Sequence, residues 1–289
     1  YEVPEQRAQE TLKRFFQGPV NMLDTSRNYA MGESEKRIGM AIKENGGWPE
    51  KFVLSTKIDR NMDTLVLDKK RTRESVEESL KALNVDSVDV LFLHDPEYVK
   101  DINDVTKKDG ALDELFKIKE EGLAKAVGLA MGRIDIMFPI LRKWDFDVII
   151  NHNRYTLLNR EADEMYSYAY SKNISIFNAA PYAGGVLAKG PSNFKKITYQ
   201  DATEEKLAPA REIEKVCKKY NVEMGAAALQ FSMKDKRITS TICGVTSVQS
   251  IEKNISWAET DIPEEFWNEV LKLPYSTKDP ESERTYTPG

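Results

Sequence analysis

The chain alternates between short apolar runs and longer segments in which apolar residues recur every three or four positions. Short apolar runs are typical of strands, and an almost wholly apolar run such as Val88–Leu93 is typical of a strand covered on both faces. Seven runs of this kind occur along the chain. They predict strands at Val20–Asp24, Phe52–Thr56, Val88–Leu93, Ala124–Leu129, Asp147–Ile150, Ile174–Phe177 and Thr239–Cys243.

The segments between these runs have the spacing of amphipathic helices. In one of them, apolar side chains from Leu207 to Tyr220 fall on a single helical face. The same spacing predicts helices at Pro4–Phe16, Glu33–Lys43, Asp68–Leu83, Ala111–Glu121, Ile134–Lys143, Arg160–Ser171, Leu207–Tyr220, Gly225–Ser232 and Val248–Trp257.

A strand followed by a helix, repeated along the chain, predicts parallel strands joined by crossover helices. No linker rich in Pro, Gly or Ser divides this pattern, so we predict a single domain over residues 1–289. The fold class that fits is α/β, a (β/α)8 TIM barrel, and a doubly wound open sheet is the alternative. A barrel needs eight strands and this chain opens with a helix. We therefore expect the first barrel strand to lie upstream of Tyr1.

Two long irregular segments interrupt the alternation. Pro181–Thr203 follows the sixth predicted strand, and Pro274–Gly289 forms a tail rich in Pro, Ser, Thr and charge. The loops that follow barrel strands lie on the face where barrel enzymes carry their active sites. We expect the tail to lie across the same face.

Composition excludes several classes of protein. The 42 basic and 47 acidic residues give a net charge of −5, so the chain has no basic field for a nucleic acid. No apolar run approaches the roughly 18 residues of a membrane span. Cys217 and Cys243 are too few for a disulfide framework, which favours a cytoplasmic location. Two histidines and no zinc-type spacing lead us to expect no metal. The oligomeric state is left open.

Four polar residues lie at or just beyond the ends of the first three predicted strands. Asp24, Lys57 and His94 close these strands, and Tyr29 follows Asp24 by five residues. Since barrel strands all end at one mouth, the spacing predicts that the four side chains meet there. Taken singly, each has an ordinary explanation, such as a helix cap for Asp24 or a solvated side chain for Lys57.

Together the four residue types suit proton transfer. A tyrosine hydroxyl has a pKa of about 10, and a neighbouring ammonium favours its ionised form. We therefore expect Lys57 to lower the pKa of Tyr29, Asp24 to hold Lys57 charged, and His94 to orient a carbonyl or hydroxyl beside Tyr29. A positioned acid–base group of this kind contributes roughly 10²–10⁴ in rate.

At these positions the sequence resembles the aldo-keto reductase superfamily. The resemblance lies in Asp24–Tyr29, Gly32–Glu35, Leu54–Lys57, Val88–Pro96 and Glu121–Gly128, and it extends over nearly the whole chain. It implies a TIM barrel, a nicotinamide cofactor and a catalytic tetrad of Asp24, Tyr29, Lys57 and His94.

Three further segments look like the aldose 1-dehydrogenase branch of that superfamily, of the D-threo-aldose, L-fucose and galactose type. They are His94–Glu97, Arg154–Leu158 and Asn178–Tyr182. This resemblance implies that the substrate is an aldose, oxidised at its anomeric carbon to a lactone. Asp95 is then a candidate to bind the sugar hydroxyls, with a capping role as its alternative.

The residues expected around the nicotinamide depart from the family pattern. Many relatives carry Ser-Asn where this chain has Ala130 and Met131, and an aromatic residue where it has Ala179. Many carry Gln at the position of His152. We expect replacements for these contacts among the following residues: His152, Asn153 and Asn178.

The adenine end follows the family pattern more closely. The resemblance places cofactor contacts in the loop after the sixth strand and in the loop and helix after the last one, at Pro181, Tyr182, Gly184, Gly244, Thr246, Ser250, Lys253 and Asn254. Relatives that prefer NADP often have a basic residue four positions before the final Asn, where this chain has Ser250. We expect NAD to be preferred over NADP. Lys253 is the one nearby cation that could instead favour the phosphate of NADP. Ser247 is expected to cap the helix.

The leading hypothesis is therefore hydride transfer between NAD(P) and C1 of an aldose. A second hypothesis keeps the fold and changes the substrate, to small aldehydes or ketones or to pyridoxal. A third is a nicotinamide-binding regulatory subunit with little turnover. A fourth is a Schiff-base enzyme that uses Lys57.

Overall fold

The computed structural model describes residues 3–284 of the chain. They form two compact units, which are considered in turn. The first unit contains residues 3–149 and 246–251, and the second contains residues 150–245 and 252–284.

The first unit is built on four parallel strands, each paired with the next in sequence order. They are β1 (Met22–Asp24), β2 (Val53–Ile58), β3 (Val88–His94) and β4 (Ala124–Met131). The helices between them are α1 (Glu5–Phe16), α2 (Glu33–Glu44), α3 (Lys69–Leu83), α4 (Asn103–Thr106), α5 (Ala111–Glu120) and α6 (Ile134–Leu141). Short 3-10 turns occupy Tyr29–Gly32 and Pro96–Tyr98.

Burial of the strands follows the apolar pattern of the sequence. In β3, Leu91, Phe92 and Leu93 are completely buried, as expected for a strand covered on both faces. In β4, Gly128 allows a close approach, because a Cβ atom at that position would lie 1.9 Å from the carbonyl oxygen of Val148. These contacts hold the strand ends, and the polar residues on them, in fixed register.

The helix boundaries also have local causes. Asp68 caps α3 by accepting a hydrogen bond from the backbone N–H of Arg71 at 2.8 Å. The same helix ends at Asn84, which adopts the left-handed conformation that Asn tolerates better than most residues. The chain then turns directly into β3.

Strand β5 (Val148–His152) runs from the first range of residues into the second. In the second unit, β6 (Ser175–Ala179) pairs in parallel with β9 (Ser240–Ile242), and β7 (Lys196–Ile197) forms an antiparallel hairpin with β8 (Gln200–Asp201). The helices here are α7 (Asp163–Ser171), α8 (Val186–Lys189), α9 (Glu204–Lys219), α10 (Met224–Met233) and α12 (Glu264–Val270). Helix α11 (Val248–Glu259) begins in the first unit's residues.

All seven predicted strands and all nine predicted helices are present, with boundaries shifted by a few residues. The predicted irregular segment Pro181–Thr203 contains α8 and the β7–β8 hairpin, which the sequence analysis did not predict. Helix α12 was also not predicted. Among the described residues, no helix combines the length and the apolar character needed to cross a membrane.

Candidate active site

Lys57 and Asp24 form a buried ion pair at the ends of neighbouring strands. The parallel pairing of β1 with β2 places Asp24 beside Ser55, two residues before Lys57. The Lys57 Nζ atom donates to Asp24 Oδ2 and to the Thr25 carbonyl oxygen, both at 2.6 Å. Ser55 Oγ donates to the other Asp24 oxygen at 2.7 Å. The ammonium is therefore charged, desolvated and fixed in position.

Tyr29 lies against this ion pair from the 3-10 turn that follows β1. Lys57 Nζ is 4.6 Å from the centroid of the Tyr29 ring, and the Tyr29 hydroxyl forms a side-chain hydrogen bond with Lys57. The ring of His94 meets that of Tyr29 edge to face, with 5.7 Å between centroids. Tyr29 is nevertheless 42% exposed. Part of the Tyr29 residue therefore faces solvent while its hydroxyl is buried against Lys57, and the four predicted side chains are brought together.

The acidity of Tyr29 differs from the sequence-based expectation. Burial of the hydroxyl raises its pKa, and the Lys57 ammonium opposes this effect. The carboxylates of Asp24 and Asp95 add to the increase, so the pKa of Tyr29 rises to about 12. Lys57 thus lowers the pKa of Tyr29, as expected, but burial of the hydroxyl outweighs this effect and the net shift is upward. At neutral pH Tyr29 is a protonated phenol.

His94 closes β3 and is held by two residues that the sequence analysis missed. Its Nδ1 atom lies 2.7 Å from Asp59 Oδ1 and 3.2 Å from Ser26 Oγ. Burial would lower the pKa of His94, but the Asp95 and Asp59 carboxylates outweigh burial and raise it. One signal for Asp59 was available in the sequence, because it follows Lys57 by two positions and therefore lies on the same face of that stretch.

Asp95 follows His94 in the left-handed conformation and turns its carboxylate back toward the imidazole. Asp95 Oδ1 lies 3.7 Å from His94 Nε2 and is buried. Within the described residues this oxygen has no hydrogen-bond donor. A buried acceptor without a donor is costly, so it is suited to receive a hydrogen bond from a ligand.

The loop and helix start near Ser247 form a hydrogen-bonded turn at the beginning of α11. Ser247 Oγ accepts from the backbone N–H of Ser250 at 3.2 Å, which confirms the predicted N-cap of α11. Ser250 Oγ in turn accepts from the backbone N–H groups of Thr246 and Ser247, each at 3.1 Å. The start of a 12-residue helix carries the partial positive charge that a phosphate requires.

In the second unit, the remaining residues predicted at the adenine end form contacts of their own. Lys253 Nζ pairs with Glu223 at 2.6 Å and lies 5.2 Å from the centroid of the Trp257 ring. Asn254 Oδ1 accepts from the Tyr182 hydroxyl at 2.5 Å. A Cβ atom placed on Gly244 would meet nothing within 4 Å, so this part of the loop is open to an approaching ligand.

Three other residues predicted to contact the cofactor are packed against other parts of the protein. Asn178 is fully buried and bonds to the Tyr166 hydroxyl, the Tyr155 carbonyl and Ser232 Oγ, which indicates a structural role. Pro181 is buried. Gly184 has a positive φ, and a Cβ atom there would lie 2.8 Å from the backbone nitrogen of Tyr199. None of these three observations by itself supports a cofactor contact.

His152 and Asn153, predicted near the nicotinamide, contact the C-terminal tail. His152 Nε2 lies 3.4 Å from Glu281 Oε2, and Asn153 Nδ2 donates to Glu281 Oε1 at 2.9 Å. Arg154, which is 1% exposed, binds Glu281 at 2.8 Å and Asp279 at 2.6 Å. We call Arg154, Asp279 and Glu281 the tail clamp. The described part of the tail therefore lies at the carboxyl end of β5.

The tail clamp predicts an acid-dependent loss of stability. Burial would raise the pKa of Glu281, but His152 and Arg154 lower it to about 2. A carboxyl with a lowered pKa in the folded state stabilises the fold above its unfolded pKa of about 4.3, and this contribution is lost as the pH falls toward 2. We expect Glu281→Gln to flatten the decline in unfolding free energy over that range, as measured by urea titrations.

The matched control for this experiment is Glu283→Gln. Glu283 also lies in the tail, but its side chain is 74% exposed and its bond to Lys206 is a surface pair. Surface pairs contribute little, so the unfolding free energy of this variant should decline with falling pH as steeply as that of the wild type. An equally steep decline in wild type and Glu281→Gln would contradict the prediction.

Comparison with known proteins identifies the family of this chain. The model of the Aldo/keto reductase family matches residues 1–273. The chain belongs to the aldo/keto reductase family. Members of this family are oxidoreductases that use NAD(P)H and act on small carbonyl compounds.

Several curated proteins resemble this aldo/keto reductase over most of their length. L-galactose dehydrogenase of Arabidopsis thaliana is 29% identical over 266 residues, covering 88% of this chain and 78% of the relative. D-threo-aldose 1-dehydrogenase of a Pseudomonas species is 28% identical over 279 residues, covering 88% and 83%. Pyridoxal 4-dehydrogenase of Microbacterium luteolum is 24% identical over 284 residues, covering 86% and 82%. The predicted likeness to aldose dehydrogenases is therefore confirmed.

A solved structure supports the fold class. The holo form of an aldo-keto reductase from Bacillus halodurans superimposes with a TM-score of 0.78, at 20% identity, covering 98% of this chain and 92% of that one. This likeness confirms the prediction of an α/β TIM-barrel fold.

Proposed function

We propose that this aldo/keto reductase transfers hydride between NAD(P) and C1 of an aldose, interconverting the sugar and its lactone. The observation that carries this proposal is the cluster of Tyr29, Lys57 and His94 with Asp95 beside it. The first three are the groups that a hydroxyl-to-carbonyl interconversion needs. Asp95 adds a buried oxygen without a donor, 3.7 Å from His94 Nε2, which suits a substrate with neighbouring hydroxyl groups.

In this proposal Tyr29 is the proton-transfer group. Its phenol donates a proton to the substrate oxygen in the reductive direction, and its phenolate takes the proton in the oxidative direction. Lys57, held by Asp24, stabilises the phenolate whenever it forms. His94 orients the reacting oxygen. The nicotinamide, when bound, supplies or accepts the hydride.

The described residues suit a nicotinamide dinucleotide at its phosphate end. The start of α11, with the partial positive charge of a helix N-terminus, would receive the phosphates. Gly244 is a separate candidate for a contact. Tyr182 and Asn254 are further candidates for contacts in the loops. His152 and Asn153 stay proposed as nicotinamide contacts, and Glu281 holds both side chains in place.

A panel of substrates tests the proposal directly. The purified protein would be incubated with NAD or NADP and a series of aldoses, and in parallel with pyridoxal and with simple aldehydes plus reduced cofactor. Nicotinamide absorbance reports turnover in either direction. Oxidation of aldoses at much higher kcat/KM than pyridoxal is the expected result. A preference for pyridoxal or for simple carbonyls would contradict the choice of substrate while keeping the enzyme class.

Pyridoxal oxidation is the second candidate, because one relative of similar coverage is a pyridoxal dehydrogenase. A protonated Tyr29, with its pKa near 12, likewise suits reduction of a small aldehyde. Tight nicotinamide binding without turnover on any of these compounds would instead indicate a regulatory subunit. A cytoplasmic location remains a prediction.

Ser250 predicts the choice between NAD and NADP. Its hydroxyl is neutral and serves the loop's own backbone, and the nearby cation in sequence, Lys253, is bound to Glu223. We expect NAD to bind more tightly than NADP. Ser250→Arg should tighten NADP binding by roughly tenfold or more, since bonds from Arg to a phosphate are charge-assisted.

Fluorescence titration with each dinucleotide measures these affinities. Ser250→Ala is the matched control, because it removes the same hydroxyl without adding a cation, and it should leave the ratio of NAD to NADP affinity unchanged. Wild-type protein that binds NADP more tightly than NAD would show that the 2′-phosphate is recognised elsewhere.

A further inference from the structure

The imidazole of His94 is held at a single nitrogen by a buried carboxylate. Asp59 is 1% exposed, and its Oδ1 atom lies 2.7 Å from His94 Nδ1. Its other oxygen accepts from the Ser26 hydroxyl and from the backbone N–H of Asn28. The backbone N–H of Asp59 donates to Ser75 Oγ at 3.0 Å. The carboxylate therefore has a fixed position before any substrate binds.

These partners determine where His94 carries its proton. An ionised carboxylate only accepts hydrogen bonds, so the 2.7 Å contact requires a proton on Nδ1. The Ser26 hydroxyl uses its hydrogen on Asp59, so toward His94 it also acts as an acceptor. Both neighbours of Nδ1 thus favour the same tautomer, and Nε2 of the neutral ring is left with a lone pair.

We propose that Asp59 is a positioning residue that keeps His94 protonated on Nδ1, so that Nε2 can donate to the substrate oxygen only when the ring is charged. This inference rests on the proposed function and deepens it. The charged ring then suits reduction, because it donates to the carbonyl oxygen that Tyr29 protonates. Loss of the charge on His94 would therefore slow reduction.

Charged groups from three strand ends face this imidazole. Asp59, after β2, and Asp95, after β3, favour the charged ring. Lys57, in β2, opposes it, and Tyr29, after β1, contributes an uncharged ring that meets the imidazole edge to face. With two carboxylates against one ammonium, removal of Asp59 shifts the balance toward the neutral ring.

The tautomer can be measured without substrate or cofactor. The chain has two histidines, so long-range ¹H–¹⁵N spectra of the labelled protein contain two imidazoles, and His152→Gln assigns them. We expect His94 above its pKa to show a protonated Nδ1 and a bare Nε2. A protonated Nε2 in the wild-type protein would overturn the proposal, whatever the variants do.

Two variants separate Asp59 from its neighbours. Asp59→Asn keeps the shape and removes the charge, and it should lower the measured pKa of His94 by about one unit or more, as loss of a carboxylate at this range does. Ser26→Ala is the matched control, because it removes the other neighbour of Nδ1 and should leave the tautomer in place. An unchanged pKa of His94 in Asp59→Asn would also overturn the proposal.

Kinetics connect the tautomer to the reaction. For whichever substrate the panel identifies, reductive kcat/KM should fall as the pH rises through the pKa of His94, and that fall should move to lower pH in Asp59→Asn. A fall that stays in place would overturn the link to the reaction. Because the spectra need no turnover, failure of the sugar hypothesis leaves the tautomer measurement intact, and the two failures are distinguishable.

Discussion

Tyr29→Phe is expected to reduce turnover by roughly 10²–10⁴ while leaving nicotinamide affinity close to that of the wild type. The substitution removes only the hydroxyl that bonds to Lys57, and the exposed ring keeps its contact with His94. The variant lacks the hydroxyl that transfers the proton, whereas the residues predicted to contact the dinucleotide are unchanged. Single-turnover absorbance measures the chemical step, and fluorescence titration measures the cofactor affinity.

Tyr170→Phe is the matched control for this experiment. Tyr170 is 46% exposed, similar to Tyr29, and lies on α7, outside the tetrad. Its loss of a hydroxyl should change neither turnover nor binding. Tyr29→Phe could instead weaken cofactor binding while protein saturated with cofactor kept wild-type turnover. Tyr29 would then be a binding residue, and the proposed chemistry would be wrong.

Arg154→Met is expected to lower the free energy of unfolding by about 3–5 kcal/mol, because removal of one partner from a buried ion pair leaves uncompensated charge. The guanidinium is 1% exposed and is bound to Glu281 and Asp279 at 2.8 and 2.6 Å. Met keeps much of the side-chain volume, so the measured loss reports charge and hydrogen bonding. Urea denaturation followed by circular dichroism gives the difference.

Two further variants test that interpretation. Arg211→Met removes an exposed partner of Glu204, and a surface pair of this kind should cost less than about 1 kcal/mol. The double variant Arg154→Met with Glu281→Gln should recover part of the loss, because the stranded carboxylate is neutralised. A loss equal to that of Arg211→Met would show that the tail contributes little to stability.

The sequence predicted the strands, the tetrad and the fold class, since each depends on a local pattern. The apolar residues of Val88–Leu93 are enough to predict a buried strand. Asp24, Lys57 and His94 are separated by about one strand and one helix each, which places them at the ends of successive strands. Helix α8 and the β7–β8 hairpin were missed because two to four residues carry no measurable periodicity.

The remaining features depend on residues that are distant along the chain. The tail clamp joins Arg154 to Glu281, which lie 127 residues apart in the sequence. The sequence around Arg154 does not predict its partner, and neither does the sequence around Glu281. The sign of the Tyr29 shift depends on Asp24 and Asp95 together with burial, and a motif that shows Lys57 alone gives the opposite answer. The position of Asp59, two residues after Lys57, indicates a shared face, but only the structure shows that its carboxylate contacts His94.

The tail clamp also has a consequence for how this sequence can diverge. A mutation that removes the acid at position 281 strands a buried guanidinium, and a mutation that removes Arg154 strands a buried carboxylate. Because either change alone is destabilising, we expect the residues at positions 154 and 281 to be substituted together. We expect substitutions at 154 and 281 to be statistically correlated among orthologues, even where the intervening loops have drifted freely.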